Sequence, residues 1–133
     1  MDEAKASARY LPISTKHAYE VCNAIKGKEV KKAIALLKDV MAMKRAIEFK
    51  RYNREVPHRK GKMMAGRYPV KACKYILPVL ENAIANAKYL NLDESRLFVK
   101  NVRSNKGVSR ERGSKYTHLD IIVAEKNDNK VSK

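Results

Sequence analysis

The sequence has no tryptophan, two phenylalanines, two cysteines, five glycines and four prolines, and it sets only 14 acidic residues against 30 Lys plus Arg. Without Trp and with Phe so scarce, no basic amphipathic helix can carry the aromatic face that would seat it on an anionic membrane. Cys22 and Cys73 stand far apart with no partner spacing for metal or redox chemistry, so both are expected as small, reduced core residues. Long apolar runs are also missing. The longest stretches, Tyr75 to Leu80 and Ala33 to Leu37, fall far short of the roughly 20 residues that span a bilayer. The chain opens Met1, Asp2, Glu3 with no apolar block behind it, so no secretory signal is expected and the protein should stay in the cytoplasm without membrane insertion.

The shortage of acid matters most. The formal charge is +16 on 133 residues, while hydrophobic residues still make up 44% of the chain, enough for one folded domain with a modest core. Charges this concentrated repel one another, and a polyanion such as nucleic acid relieves them where acidic small molecules could not.

Apolar periodicity predicts three helices. Ala18, Val21, Cys22 and Ile25 mark the first, Thr15 to Lys26, with Ser14 as its cap and Gly27 after it. Val30, Ala33, Ile34, Leu37, Val40 and Met41 mark the second, Glu29 to about Met43. Cys73, Leu77, Leu80, Ile84 and Ala87 mark the third, Pro69 to about Leu90. The last third of the chain changes to a period of two. Leu97, Val99 and Asn101 alternate with Phe98, Lys100 and Val102, and Leu119, Ile121 and Val123 alternate with His118, Asp120 and Ile122. These read as two antiparallel strands of a hairpin, with a third strand over Ala8 to Ile13.

From Lys44 to Lys74 the periodicity weakens and eleven cations face only Glu48 and Glu55: Lys44, Arg45, Lys50, Arg51, Arg54, Arg59, Lys60, Lys62, Arg67, Lys71 and Lys74. Phe49, Tyr52 and Tyr68 interleave them, and Pro57, Gly61, Gly66 and Pro69 punctuate the stretch. A charge run is usually a solvated face, but this imbalance is unfavourable unless phosphates screen it. An irregular tract and a hairpin end suit the uneven phosphate surface of folded RNA better than a regular groove, and no DNA-reading helix motif occurs. His17, His58 and His118 are scattered without ligand partners and read as structural. The serines lack a nucleophile elbow, and Gly61-Lys62 and Gly27-Lys28 lack the rest of a phosphate loop. No cofactor or metal is expected. The alternative reading, a small RNA-processing or RNA-modifying enzyme on the same basic surface, would need a constellation of acids, bases or ligands that the sequence does not offer.

The residues become specific in combination. Ala8-Arg9-Tyr10 before Ser14, Ala24-Ile25-Lys26-Gly27-Lys28, and Lys32-Ala33-Ile34 through Leu36-Leu37-Lys38-Asp39-Val40 resemble the ribosomal protein L twenty-two family of the large subunit. Phe49-Lys50-Arg51-Tyr52-Asn53, Gly66-Arg67-Tyr68-Pro69, Lys71-Ala72 and Leu80-Glu81-Asn82-Ala83 with Ala85-Asn86-Ala87 resemble its archaeal and eukaryotic branch, set apart by the insertion holding Phe49 to Pro69. The resemblance runs from about Ala8 to Lys126.

It implies an α+β domain, three helices packed on a small three-stranded antiparallel sheet with a protruding β-hairpin, that binds large-subunit rRNA beside neighbouring ribosomal proteins and lies near the polypeptide exit tunnel. Residues 1–7 are expected as a flexible N-terminus and 8–126 as a single rRNA-binding domain. Within it, 44–69 form the basic insertion and 103–118 the hairpin end, and 127–133 form a polar tail. The expected RNA contacts are the eleven tract cations with Tyr52, Arg9, Arg103, Lys106, Arg110, Arg112 and Lys115. The family hairpin carries a Pro-Arg-Ala-x-Gly-Arg-Ala element at its tip. Here Arg110-Glu111-Arg112-Gly113-Ser114-Lys115 runs straight into Tyr116, so contact with a nascent chain is expected only where such a tip is present.

Overall fold

A computed structural model describes residues 3–59, 65–108 and 115–126. Strand β5 (Thr117–Glu125) is the middle of the main sheet, between β1 (Glu3–Leu11) and β4 (Leu97–Lys106), and both neighbours run antiparallel to it. Its inward residues Thr117, Leu119, Ile121 and Val123 are fully buried, as the alternating sequence requires of a strand with one face on the core. Three helices cover that face: α1 (Thr15–Ile25), α2 (Val30–Met41) and α3 (Val70–Tyr89). Helix α3 lies against β1 and β5, α1 against β4, and α2 against α3. The fold is α+β, as expected.

The helix boundaries differ from the sequence reading by one or two residues at the ends. The role of Ser14 does differ: it occupies the N-cap position, but its hydroxyl makes no capping hydrogen bond and its carbonyl accepts from Ala18 N–H at 2.9 Å. Gly27 ends α1 at φ +83, a left-handed conformation that glycine adopts without strain. Gly27 N–H donates to the Val99 carbonyl (2.8 Å), and Val99 N–H donates to the Lys28 carbonyl (2.9 Å), so the tight corner between α1 and α2 is fastened to β4.

Three corrections follow. The first strand is Glu3–Leu11, not Ala8 to Ile13, and Glu3–Ser7 pair with β5 residues Ala124–Asp120 where a flexible N-terminus was expected. The inward positions there are Ala4 and Ala6, too small to register as an apolar pattern, yet suited to a helix lying close above; Asn86 of α3 donates from Nδ2 to the Lys5 carbonyl at 2.8 Å. In β4 the register shifts between Val99 and Asn101, so Lys100 is an extra residue and Val102 turns inward instead of Asn101. The basic insertion is not wholly irregular, because β2 (Ile47–Glu48) pairs with β3 (Gly66–Arg67) in a short second sheet. Ala46, Ile47, Phe49 and Ala65 are buried around it, and Phe49 belongs to the main core.

Candidate nucleic-acid interface

The insertion is rooted by one buried acid. Glu20, on α1 and 1% exposed, accepts hydrogen bonds from the backbone N–H groups of Lys50 (2.8 Å) and Arg51 (3.1 Å) through its two carboxylate oxygens. A carboxylate bonded twice to backbone fixes where the insertion leaves the body. The guanidinium of Arg51 then lies 5.0 Å from the ring centre of Tyr19 and 5.2 Å from that of Tyr52, and the two rings meet edge to face at 5.5 Å. Lys16 sits 5.7 Å over Tyr52. Farther along, Arg59 rests 5.3 Å from the Tyr68 ring and donates from Nε to the Gly66 carbonyl at 3.0 Å. Stacking and carbonyl contacts orient these guanidinium groups without cancelling their charge.

Neutralisation is uneven across the molecule. Among the described residues, ion pairs join Lys100 to Glu3, Arg9 to Asp120 and Arg96 to Glu125 on the main sheet, and Lys88 of α3 to Glu94. Among the described residues, no carboxylate comes within ion-pair distance of Lys44, Arg45, Lys50, Arg51, Arg54, Arg59, Arg67, Lys71 or Lys74, and all nine are exposed.

The structure thus brings Arg51 and Tyr52 into one stack, and it places Arg103 of β4 in a groove with Tyr19, Asn23, Lys26 and Asn101, so that Tyr19 borders both. Lys71 and Lys115 line a second cleft at the base of the hairpin. Arg9 stands apart, 3.8 Å from Asp120, and Lys106 is exposed at the end of β4. Lys60, Lys62, Arg110 and Arg112 lie outside the described residues.

Three residues that periodicity passed over take part in this architecture. Tyr19 and Glu20 sit between apolar positions of α1, where spacing gives no hint that they meet the insertion. Tyr10 has a positive φ of 56, and its ring meets His118 at 4.8 Å and Tyr116 at 6.2 Å, each edge to face; its N–H donates to His118 Nδ1 at 3.2 Å. The positive φ coincides with the irregularity in β1, between Ala8 and Leu11, which only the pairing with β5 reveals.

Comparison with known proteins identifies the family. Residues 6–124 match the family described as Ribosomal protein L22p/L17e. The chain is 51% identical over 111 residues to the large ribosomal subunit protein uL22 of Archaeoglobus fulgidus, covering 82% of this chain and 72% of that protein. It is 48% identical over 111 residues to the protein of the same name from Methanocaldococcus jannaschii, covering 82% and 71%. With that of Nanoarchaeum equitans it shares 39% identity over 144 residues, 98% of this chain and 83% of the relative. A match that takes in most of the sheet, all three helices and the basic insertion places this chain in the Ribosomal protein L22p/L17e family.

Proposed function

We propose that the chain binds large-subunit rRNA through the exposed cations of its insertion, Lys71 and Lys74 at the start of α3, and the cations of β4 and the hairpin base. As a member of a family of ribosomal proteins it is a structural constituent of the large subunit, not an enzyme. The observation that carries the RNA reading is the insertion itself: exposed cations without carboxylate partners, with Arg51 held against two tyrosine rings. A guanidinium stacked in this way keeps its donors free for phosphate oxygens and offers ring faces to unpaired bases.

In this reading β4 and β5 lead the hairpin toward the exit tunnel, while the body and insertion anchor the protein to rRNA among neighbouring ribosomal proteins. Contact with a nascent chain would need the tip element that the sequence lacks. Binding of the isolated protein to a large-subunit rRNA transcript, measured as salt is raised, tests the anchor. About eight phosphate contacts on single-stranded-like RNA give a log-log slope near −6. A slope near −1 overturns the many-contact reading. In a lysate, the protein should sediment with large subunits and come off in a high-salt wash.

A further inference from the structure

A cleft of about 430 Å³ opens where α1 and α3 begin, beside the segment that enters β5. Ile13 and Ala72 contribute apolar surface to it, and His17, Lys71, Lys115 and Tyr116 bring polar groups from three separate stretches of chain. No carboxylate lines it, and neither helix carries an acid in its first turn. Arg67 of β3 adds a third positive group, close enough to act on His17. Like charges converging on one cavity from α3, β3 and the hairpin base repel one another unless an anion sits among them. The lining also differs from that of the groove bordered by Tyr19, where the side chains of Asn23, Asn101 and Asn105 offer amides suited to a base edge. In the hairpin-base cleft, cations dominate.

We propose that this cleft clamps a single backbone phosphate of the RNA, held by Lys71 and Lys115 with the imidazole of His17 as the third donor. The proposal rests on the rRNA-binding reading and adds to it a discrete site and a residue, His17, that sequence spacing assigns only a structural place.

His17 gives the site its own signature. Its ring packs edge to face on Phe49 at 5.6 Å. Partial burial, and then the charges of Arg67 and Lys115, hold its pKa below the ordinary histidine value of 6.5. Lys71 faces the same cavity from α3. Glu20, one turn along α1, does not line the cleft, and its carboxylate is engaged by Lys50 and Arg51. In the free protein His17 is therefore neutral at pH 7. A phosphate entering among the cations offsets their repulsion and favours the imidazolium, so binding takes up a proton and tightens as pH falls toward 6.

The test uses the full chain, an rRNA transcript, and two double variants with unchanged circular dichroism: Lys71→Gln with Lys115→Gln at the cleft, and Lys31→Gln with Lys32→Gln on the exposed side of α2 as control. The cleft variant should lose about tenfold or more in affinity at moderate salt and flatten the log-log slope by about 1 beyond the control. NMR titration of the His17 ring should show its pKa rising when RNA binds the natural sequence, and not when it binds the cleft variant. Inorganic phosphate should move that resonance only at millimolar concentration. Equal slopes for the two variants, or a His17 ring indifferent to RNA, overturn the clamp while a steep slope for the natural sequence leaves the RNA reading standing. Inorganic phosphate acting as tightly as the transcript overturns the assignment to an RNA backbone. A shallow slope for the natural sequence overturns both.

Discussion

Arg51 shows how much a single side chain can be asked to do. Its backbone N–H is held by Glu20 and its guanidinium by Tyr19 and Tyr52, so its direction is set by the protein itself. Lysine in that place keeps the charge but loses the planar stack and the forked donors. Arg51→Lys should therefore weaken RNA binding several-fold without changing the net charge, and competition binding against Lys50→Arg, which touches neither ring, would reveal it; equal affinities would mean that charge alone matters. The cysteines offer a second test at this scale. Burial pushes the thiols of Cys22 and Cys73 from the ordinary 9.0 up to about 12, leaving about one thiolate in ten thousand at pH 8. Native protein should react with a disulfide reagent at pH 8 orders of magnitude more slowly than denatured protein. Because the folded state holds these protons more tightly, the thiols favour folding fully below pH 9, and that contribution is lost as pH rises toward 12. Stability measured across that window should fall, and a flat profile would show that the thiols are not buried as described.

At the scale of elements, the helices carry the core and one acid carries the insertion. Leu37 and Leu80 are fully buried on α2 and α3, and Leu37→Ala or Leu80→Ala should each lower stability by ~2 to 5 kcal/mol, read from denaturant midpoints. Glu20→Ala behaves differently, because it strands two backbone donors where the insertion begins. A loss of ~1 to 3 kcal/mol is expected, and limited trypsin digestion should cut sooner at Arg51 and Arg54 while the rest of the body resists. Unchanged digestion would show that the insertion is held by something else. The helices were legible in the sequence because their stripes repeat at three and four residues over many turns. The two-residue strands β2 and β3 have no such repetition, and the inward residues of β1 are alanines, so each becomes visible only beside its partner strand. The bulge at Lys100 is hidden for the same reason: a one-residue change of face leaves the composition untouched. The cationic tract was evident from composition, whereas the roles of Tyr19, Glu20 and His17 depend on contacts across 30 or more residues, or on a cleft built from three stretches of chain.

At the scale of the molecule, charge among the described residues is arranged asymmetrically: ion pairs lie along the sheet, and cations without carboxylate partners occupy the insertion and the start of α3. The sheet has one further property, set by its strand order. Its central strand is the last to be made, since β5 begins at Thr117 and both of its neighbours precede it. While the chain is being synthesised, β1 waits through more than a hundred residues for a partner, and β4 finds its own only when the hairpin closes. Until then the inner faces of three helices have no completed sheet to rest on, and two strand edges are open to other chains. On the rRNA-binding reading proposed above, capture by RNA once β5 is made would remove both the charge repulsion and the exposed strand edges in one event.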